Sequence, residues 1–458
     1  MVLRAGSLAP MHDDLADAID SHFPAMCAAL EELVRIPSVS APGYDPDEVR
    51  RSARATAELL RRGGARDVRL LELPGAHPAV FGEIPAPPGA PTVLLYAHHD
   101  VQPPGPASEW DIRDAFEPAM RDGRMYGRGT SDDKAGIVVH LGALLAHQSA
   151  PPVGVKVFVE GEEEIGSAHL EDFLVRFHEL LAADVIVIAD SGNWRTGQPS
   201  LTTSLRGLVD CIVEVRTLEH AVHSGMFGGA VPDAVIAMAR LLATLHDDAG
   251  NVAVTGRITG PADPLDLTEA GLRDMAGVVD GVQLIGEGPL TERMWTKPAI
   301  SVLAMDVPPV AEAINQLVPA VRAKVSMRLA PGDDPRAAQD ALVAHLEAHA
   351  PWGARVTVTR GSQGAPFALD TTGAAYDAFR RAFEAAWGVA TVDIGVGGSI
   401  PFVAAFSEQY PNAAILLTGV ADDKSRPHGP NESQDLDDLR RGALAEAIAL
   451  RLLADPEN

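Results

Sequence analysis

Four short apolar runs in this sequence end at, or shortly before, a histidine or an acid. Residues 93–97 lead into His98-His99-Asp100, and residues 153–159 lead into Glu160-Gly161-Glu162-Glu163-Glu164. Residues 185–189 lead into Asp190, and residues 413–420 precede His428 by a few positions. One such ending is common. Four strands of one sheet would bring their ends to one place, because open α/β sheets bind ligands beyond the carboxyl ends of their strands. Imidazoles and carboxylates together are the donors of a zinc or manganese site. His98 and Asp100 stand two apart at a strand end and so point the same way. The natural division makes His98 a ligand and bonds Asp100 to its other ring nitrogen; a surface histidine beside a turn aspartate is the plain alternative. The glycine-rich stretch 127–134 opens a helix but lacks the Walker spacing, which argues against phosphate binding. There, Asp132 and Asp133 either cap the helix or lay one carboxylate across two metal ions. Glu162, Glu163 and Glu164 would repel one another by up to roughly a few kcal/mol when partly buried, unless a cation or proton relieves them. Either the loop is simply solvated, or one glutamate binds metal while its neighbour takes a proton from a metal-bound water.

These ends need a scaffold of strands and helices. Apolar residues at helical spacing predict helices over 13–35 and 46–62, and an Ala- and Leu-rich one over 135–148. Strands alternating with helices make an α/β fold with a largely parallel sheet. The middle reads differently: strand 208–216, helix 232–246 with Pro232 in its first turn, a second strand best placed at 299–304, strand 322–329, helix 334–350 and strand 354–359. That order is the ferredoxin-like pattern. Residues 255–297 carry many Gly, Pro and Asp and are left unassigned. The α/β pattern resumes with a helix over 374–387. The chain therefore divides into a catalytic domain (1–206 and 362–458) interrupted by an inserted α+β domain (207–361).

Composition narrows the partners. Lys plus Arg number 37 against 63 for Asp plus Glu, a net charge of −26 over 458 residues. Such a balance disfavours nucleic acid and anionic membrane surfaces, which are bound by clustered cations. No run approaches the ~18 apolar residues of a membrane span, and residues 1–14 hold no signal-peptide core. A cytoplasmic enzyme is the default expectation. Two cysteines, Cys27 and Cys211, make neither a disulfide framework nor a thiolate metal knuckle.

Eight stretches carry a resemblance: YAHHDVQP (96–103), GRGTSDDKAG (127–136), EGEEEIGS (160–167), IADSGNW (188–194), HSGMFGG (223–229), VSMRLAPG (325–332), GGSIP (397–401) and HGPNE (428–432). In this content and order the chain resembles the M20 metallopeptidases, in particular the dipeptidase branch of the cytosolic non-specific dipeptidases and carnosinases. The resemblance implies a zinc-exopeptidase fold with an inserted lid and dimerisation domain, and two Zn2+ per subunit, with Mn2+ or Co2+ as substitutes. It implies that Asp132 bridges the metals, that His98 and Asp190 complete one ion, and that Glu164 and His428 complete the other. Glu163 then acts as the general base on a metal-bridging hydroxide, with Asp100 orienting His98. A non-proline cis peptide is implied between Asp132 and Asp133. His223 resembles the lid histidine that completes the neighbouring subunit's site in a homodimer and stabilises the oxyanion; its plain alternative is a cap of the turn before Ser224-Gly225. Arg328 resembles the arginine that grips the substrate carboxylate, with Gly398 and Ser399 in the loop that shares this task. Gln316 stands where many members have Asn or Thr, next to Asn315, and Ala115 where they usually have Pro. The activity implied is hydrolysis of a small dipeptide. Hydrolysis of N-acyl amino acids or a carboxypeptidase activity is the alternative within the family, and a metal-free binding protein the alternative outside enzymes.

Overall fold

The computed structural model describes residues 12–263, 265–397 and 401–455. Its contacts form two compact units. One holds the chain up to Thr203, Leu369–Ile394 and the part from Pro401 onward; the other holds Ser204–Ala368 and the stretch from Gly395.

The first unit is built on a sheet whose strands run in the order Arg69–Leu71, Ala79–Ile84, Gly154–Glu160, Thr92–His98, Val185–Ile188, Ala414–Leu417 and Ser200–Leu205. Only the four strands from Gly154–Glu160 to Ala414–Leu417 are mutually parallel; the flanking strands pair antiparallel, so the sheet is mixed rather than largely parallel. The four parallel strands are the apolar runs that end at the acids and histidines. Their residues are almost wholly buried, as expected of parallel strands covered on both faces. Register places His98 directly opposite Glu160. Helix Lys134–Ala146 is buried nearly all round, which is why its sequence lacks a polar stripe. Helix Asp13–Val34 buries Leu15, Ile19, Met26, Leu30 and Leu33 at three-, four- and seven-residue spacing, one face of the helix. Helix Pro46–Arg62 starts on an Asp45 cap, whose carboxylate accepts the Asp47 N–H at 3.0 Å, with Pro46 at its first position.

In the second unit a four-stranded antiparallel sheet runs in the order Ala299–Asp306, Ala320–Leu329, Gly207–Arg216 and Arg355–Gly364. Helices Ala234–Ala243 and Pro335–Ala348 supply Met238, Leu241 and Leu342 to a core with Val209, Val213, Val325 and Met327. Truncating Leu342 to Ala would cost about 2–5 kcal/mol, the range for emptying a packed leucine site. One expectation is corrected here. Pro232 is not in the first turn: Asp233 caps the helix through the N–H groups of Val235 and Ile236, at 2.8 and 3.0 Å, so Pro232 lies outside it. Residues 255–297, left unassigned by the sequence, contain helices Glu269–Ala276, capped by Thr268, and Leu290–Trp295. Their shortness hides any periodicity. The last strand outruns residue 359 because Arg360, and beyond a bulge Gln363 and Gly364, continue the ladder. Among the described residues no helix is long and apolar enough to cross a membrane.

Candidate metal centre

The carboxyl ends of the parallel strands in the first unit deliver His98, Glu163, Glu164 and Asp190 to one place, and the loops 127–133 and 426–432 add Asp132 and His428. One oxygen of Asp132 lies 3.0 Å from His98 Nε2, and its other oxygen lies 2.9 Å from His428 Nε2. Asp190 Oδ1 stands 3.8 Å from His98 Nε2, and Glu164 Oε2 stands 3.2 Å from His428 Nε2. Two donor triads result, His98–Asp132–Asp190 and Asp132–Glu164–His428, with Asp132 common to both. Each triad's donor atoms lie within 4.8 Å of one another, as ligands of one ion must. Glu163 belongs to neither triad; its Oε2 is 4.0 Å from His98 Nε2.

Electrostatics show what the cluster lacks. Burial pushes the Glu163 carboxyl up to about 9, helped by the charge of Asp190. Burial, with Asp132 beside it, pushes Glu164 up to about 7, and burial raises Asp190 as well. Burial opposes a charged His98 ring, but hydrogen bonds to Asp100, Asp132 and Asp190 outweigh it and hold its pKa well above the usual value. Asp132 and Glu164 hold His428 up to about 10. Burial likewise opposes ionisation of Asp132, and the two imidazoles more than reverse it. Glu163, Glu164 and Asp190 thus hold their protons more tightly than free acids do, where cations would relieve them, while Asp132 between the two rings gives its proton up more readily. The donors are oxygen and imidazole nitrogen, they fall into two groups, and one carboxylate offers an oxygen to each. This set fits a pair of divalent cations, whose binding would displace those protons.

The supports are as specific as the donors. His98 Nδ1 donates to the Asp100 carbonyl at 3.1 Å, with the Asp100 carboxylate at 3.4 Å, so backbone and side chain both fix the ring. That carboxylate also accepts the Ser40 hydroxyl at 2.7 Å and the N–H groups of Glu163 and Glu164 at 3.2 and 3.1 Å. One buried aspartate therefore orients a histidine and anchors the turn that carries two glutamates. Asp133 caps nothing: its carboxylate accepts the His98 N–H at 3.2 Å. The Asp132–Asp133 peptide is cis. His428 adopts φ +61°, and Arg426 and Asn431 near it are also left-handed. Such positions cost roughly 1–2 kcal/mol each for non-glycine residues, so the loop must be held from outside. Asn431 is one of the holds: it accepts the Asp111 N–H at 2.7 Å and donates to the Glu109 carbonyl at 3.2 Å.

Sequence reasoning missed Gln102. Its side-chain N–H group donates to Glu164 Oε2 at 2.8 Å, and its backbone N–H donates to Oε1 at 3.1 Å, so both oxygens of that glutamate are gripped. It also missed Tyr96, whose hydroxyl donates to Glu160 at 2.7 Å, and His140, which links Glu446 at 2.8 Å to the Tyr96 carbonyl at 3.2 Å. Tyr96 and Gln102 stand inside YAHHDVQP, which was the available signal; His140 and Glu446 sit in apolar helices that give none.

In the second unit His223 is exposed and Nδ1 accepts the Gly225 N–H at 3.1 Å, capping the short helix Ser224–Phe227. It pairs across a two-residue ladder with Gln316. Arg328 is half-buried on strand Ala320–Leu329, opposite Ala299 and Leu208. Burial, above all, lowers its guanidinium pKa. Gly398 and Ser399 lie outside the described residues.

The family described as peptidase family M20/M25/M40 matches residues 94–451. A cysteinylglycine-S-conjugate dipeptidase of Corynebacterium striatum is 37% identical over 370 residues, 78% of this chain and 80% of that one. A beta-Ala-His dipeptidase of Rattus norvegicus is 28% identical over 464 residues, 93% of each chain. The solved structure of the dipeptidase Dug1p from Saccharomyces cerevisiae superposes with a TM-score of 0.79, covering 98% of this chain and 100% of that one at 23% identity, a likeness that speaks for the fold alone. The ligand geometry and the matched length lead to the same place: this chain belongs to the M20 peptidase family.

Proposed function

We propose that this M20 peptidase is a cytoplasmic, homodimeric di-zinc enzyme that hydrolyses dipeptides. The observation that carries the reading is Asp132, whose two oxygens each face a separate histidine and acid. His98, Asp132 and Asp190 would hold one zinc ion, and Asp132, Glu164 and His428 the other. Bound there, the ions would polarise the scissile carbonyl and acidify water.

The chain's own groups do the rest. Glu163 stands beside the ligands without joining either triad. It is free to take the proton of the attacking water and pass it to the leaving amine. Asp100 holds its backbone N–H, so the carboxylate works from a fixed base. Because His223 Nδ1 accepts a hydrogen bond, the neutral ring carries its proton on Nε2. That is the tautomer able to donate to a developing oxyanion. Arg328 offers a planar fork to the substrate carboxylate, with Gly398, Ser399 and Gln316 as further contacts.

The second unit is read as the ferredoxin-like lid and dimerisation domain. Its edge strand Ala299–Asp306 supports this, because Val302 is 43% exposed and Leu303 is 60% exposed. An apolar, open edge is a template for a second chain. The dipeptidase names of the two relatives support a dipeptide substrate.

The reading is tested with a panel of dipeptides, N-acetyl amino acids and tripeptides, each assayed with and without a chelator. Chelator-sensitive cleavage of dipeptides is expected. Cleavage of N-acyl substrates alone would replace the dipeptidase reading, and no chelator-sensitive hydrolysis would end the enzymatic one.

A further inference from the structure

The HGPNE stretch contributes more than its histidine. Glu432 is fully buried, and its carboxylate receives five donors from one loop. Oε1 accepts the N–H of Ser131 at 3.0 Å, the hydroxyl of Ser131 at 3.1 Å and the N–H of Asp132 at 3.1 Å. Oε2 accepts the N–H of Gly129 at 3.0 Å and Arg128 Nη1 at 2.7 Å. The backbone carbonyl of Glu432 takes the Gly127 N–H at 2.9 Å. Loop 127–132 is therefore wrapped around a single residue of a distant segment. Gly129 makes the wrap possible, with φ +83° and a missing Cβ that would lie 2.6 Å from Val101. A concave row of N–H groups is a natural anion seat, and here the anion is a side chain of the same protein.

Arg128 extends the connection. It is 2% exposed and lies with its guanidinium carbon 5.6 Å from the Trp110 ring centre. While Nη1 pairs with Glu432, Nη2 donates to the carbonyls of His428 and Pro103, both at 3.2 Å. The left-handed His428 backbone is thus tied to the loop that carries Asp132.

We propose that Glu432 is the positioning residue of the metal centre. It fixes the backbone that presents Asp132 and, through Arg128, the loop that presents His428. The inference rests on the two-ion reading of the site. It differs from it in locating the pre-organisation in a buried ion pair that touches neither substrate nor metal.

The test is Glu432→Gln, which keeps the shape but turns one acceptor oxygen into an NH2 group facing N–H donors. Zinc affinity of the purified variant is measured by competition with a chromophoric chelator. A loss of about 10–100-fold is expected, the usual effect of removing a partner behind a metal ligand. Raising free Zn2+ by the same factor should restore turnover of a dipeptide. Arg128→Lys is the second variant: it keeps the charge beside Glu432 but cannot also reach the His428 and Pro103 carbonyls, and it should weaken one of the two zinc ions selectively. Should Glu432→Gln not fold, Arg128→Lys decides alone. A purely structural role would lower the melting temperature of the metal-free protein and leave zinc affinity unchanged, and that result overturns the proposal. Failure of the wild-type protein to bind two ions would instead overturn the reading of the site beneath it.

Discussion

In the first unit His98, Asp100 and Glu432 are buried, and every polar atom of their side chains has a partner at or near hydrogen-bond distance. In the second unit His223 is exposed with only its Nδ1 engaged, and the Arg328 guanidinium has no hydrogen bond or ion pair among the described residues. Both kinds of group belong to one proposed reaction, yet their surroundings differ. A metal ligand must be in place before the ion arrives, so its neighbours are built into the same unit. A group that meets the substrate gains its partner only on binding and is left unsatisfied until then. The first unit should therefore fail from within its own subunit, and the second should fail in ways that depend on a neighbour.

The largest effect is expected from Glu163→Ala. Turnover should fall by about 10²–10⁴-fold, the usual worth of a general base, with both metal ions retained by elemental analysis. Loss of metal would mean that Glu163 is a ligand and has exchanged roles with Glu164. His223→Ala should lower turnover by about 10²–10³-fold, as for the loss of one oxyanion donor. Mixing it with the Glu163→Ala protein should restore activity, because the mixed dimer then holds one intact site; no recovery would place His223 in its own subunit's chemistry. Leu303→Lys puts a charge on the open edge strand and should yield monomers by sedimentation. Their turnover should match that of His223→Ala, and the double variant should be no worse. The smallest effect is expected for Gln102→Ala, which frees one oxygen of Glu164 and should weaken metal binding about 10-fold, measured by chelator competition.

The strand ends were readable because an apolar run that stops at a charged residue is a local pattern. The four runs became parallel neighbours in the structure, and their terminal side chains met. Loop positions were harder. Asp133 follows a cap-like pattern yet bonds the His98 N–H, a contact 35 positions away that no spacing encodes. Gln102 and Glu432 act on backbone N–H groups or on another side chain's oxygens, so residue type alone does not mark them. Short helices such as Leu290–Trp295 are too brief to show a period. The first-turn assignment of Pro232 failed by two positions, because Asp233 beside it is the better cap.

The most direct measurement is anomalous diffraction from crystals grown with zinc. The account predicts two ions in each first unit, with one oxygen of Asp132 on each and with Glu164 but not Glu163 coordinated. A single ion, or a pair that does not share Asp132, would contradict it.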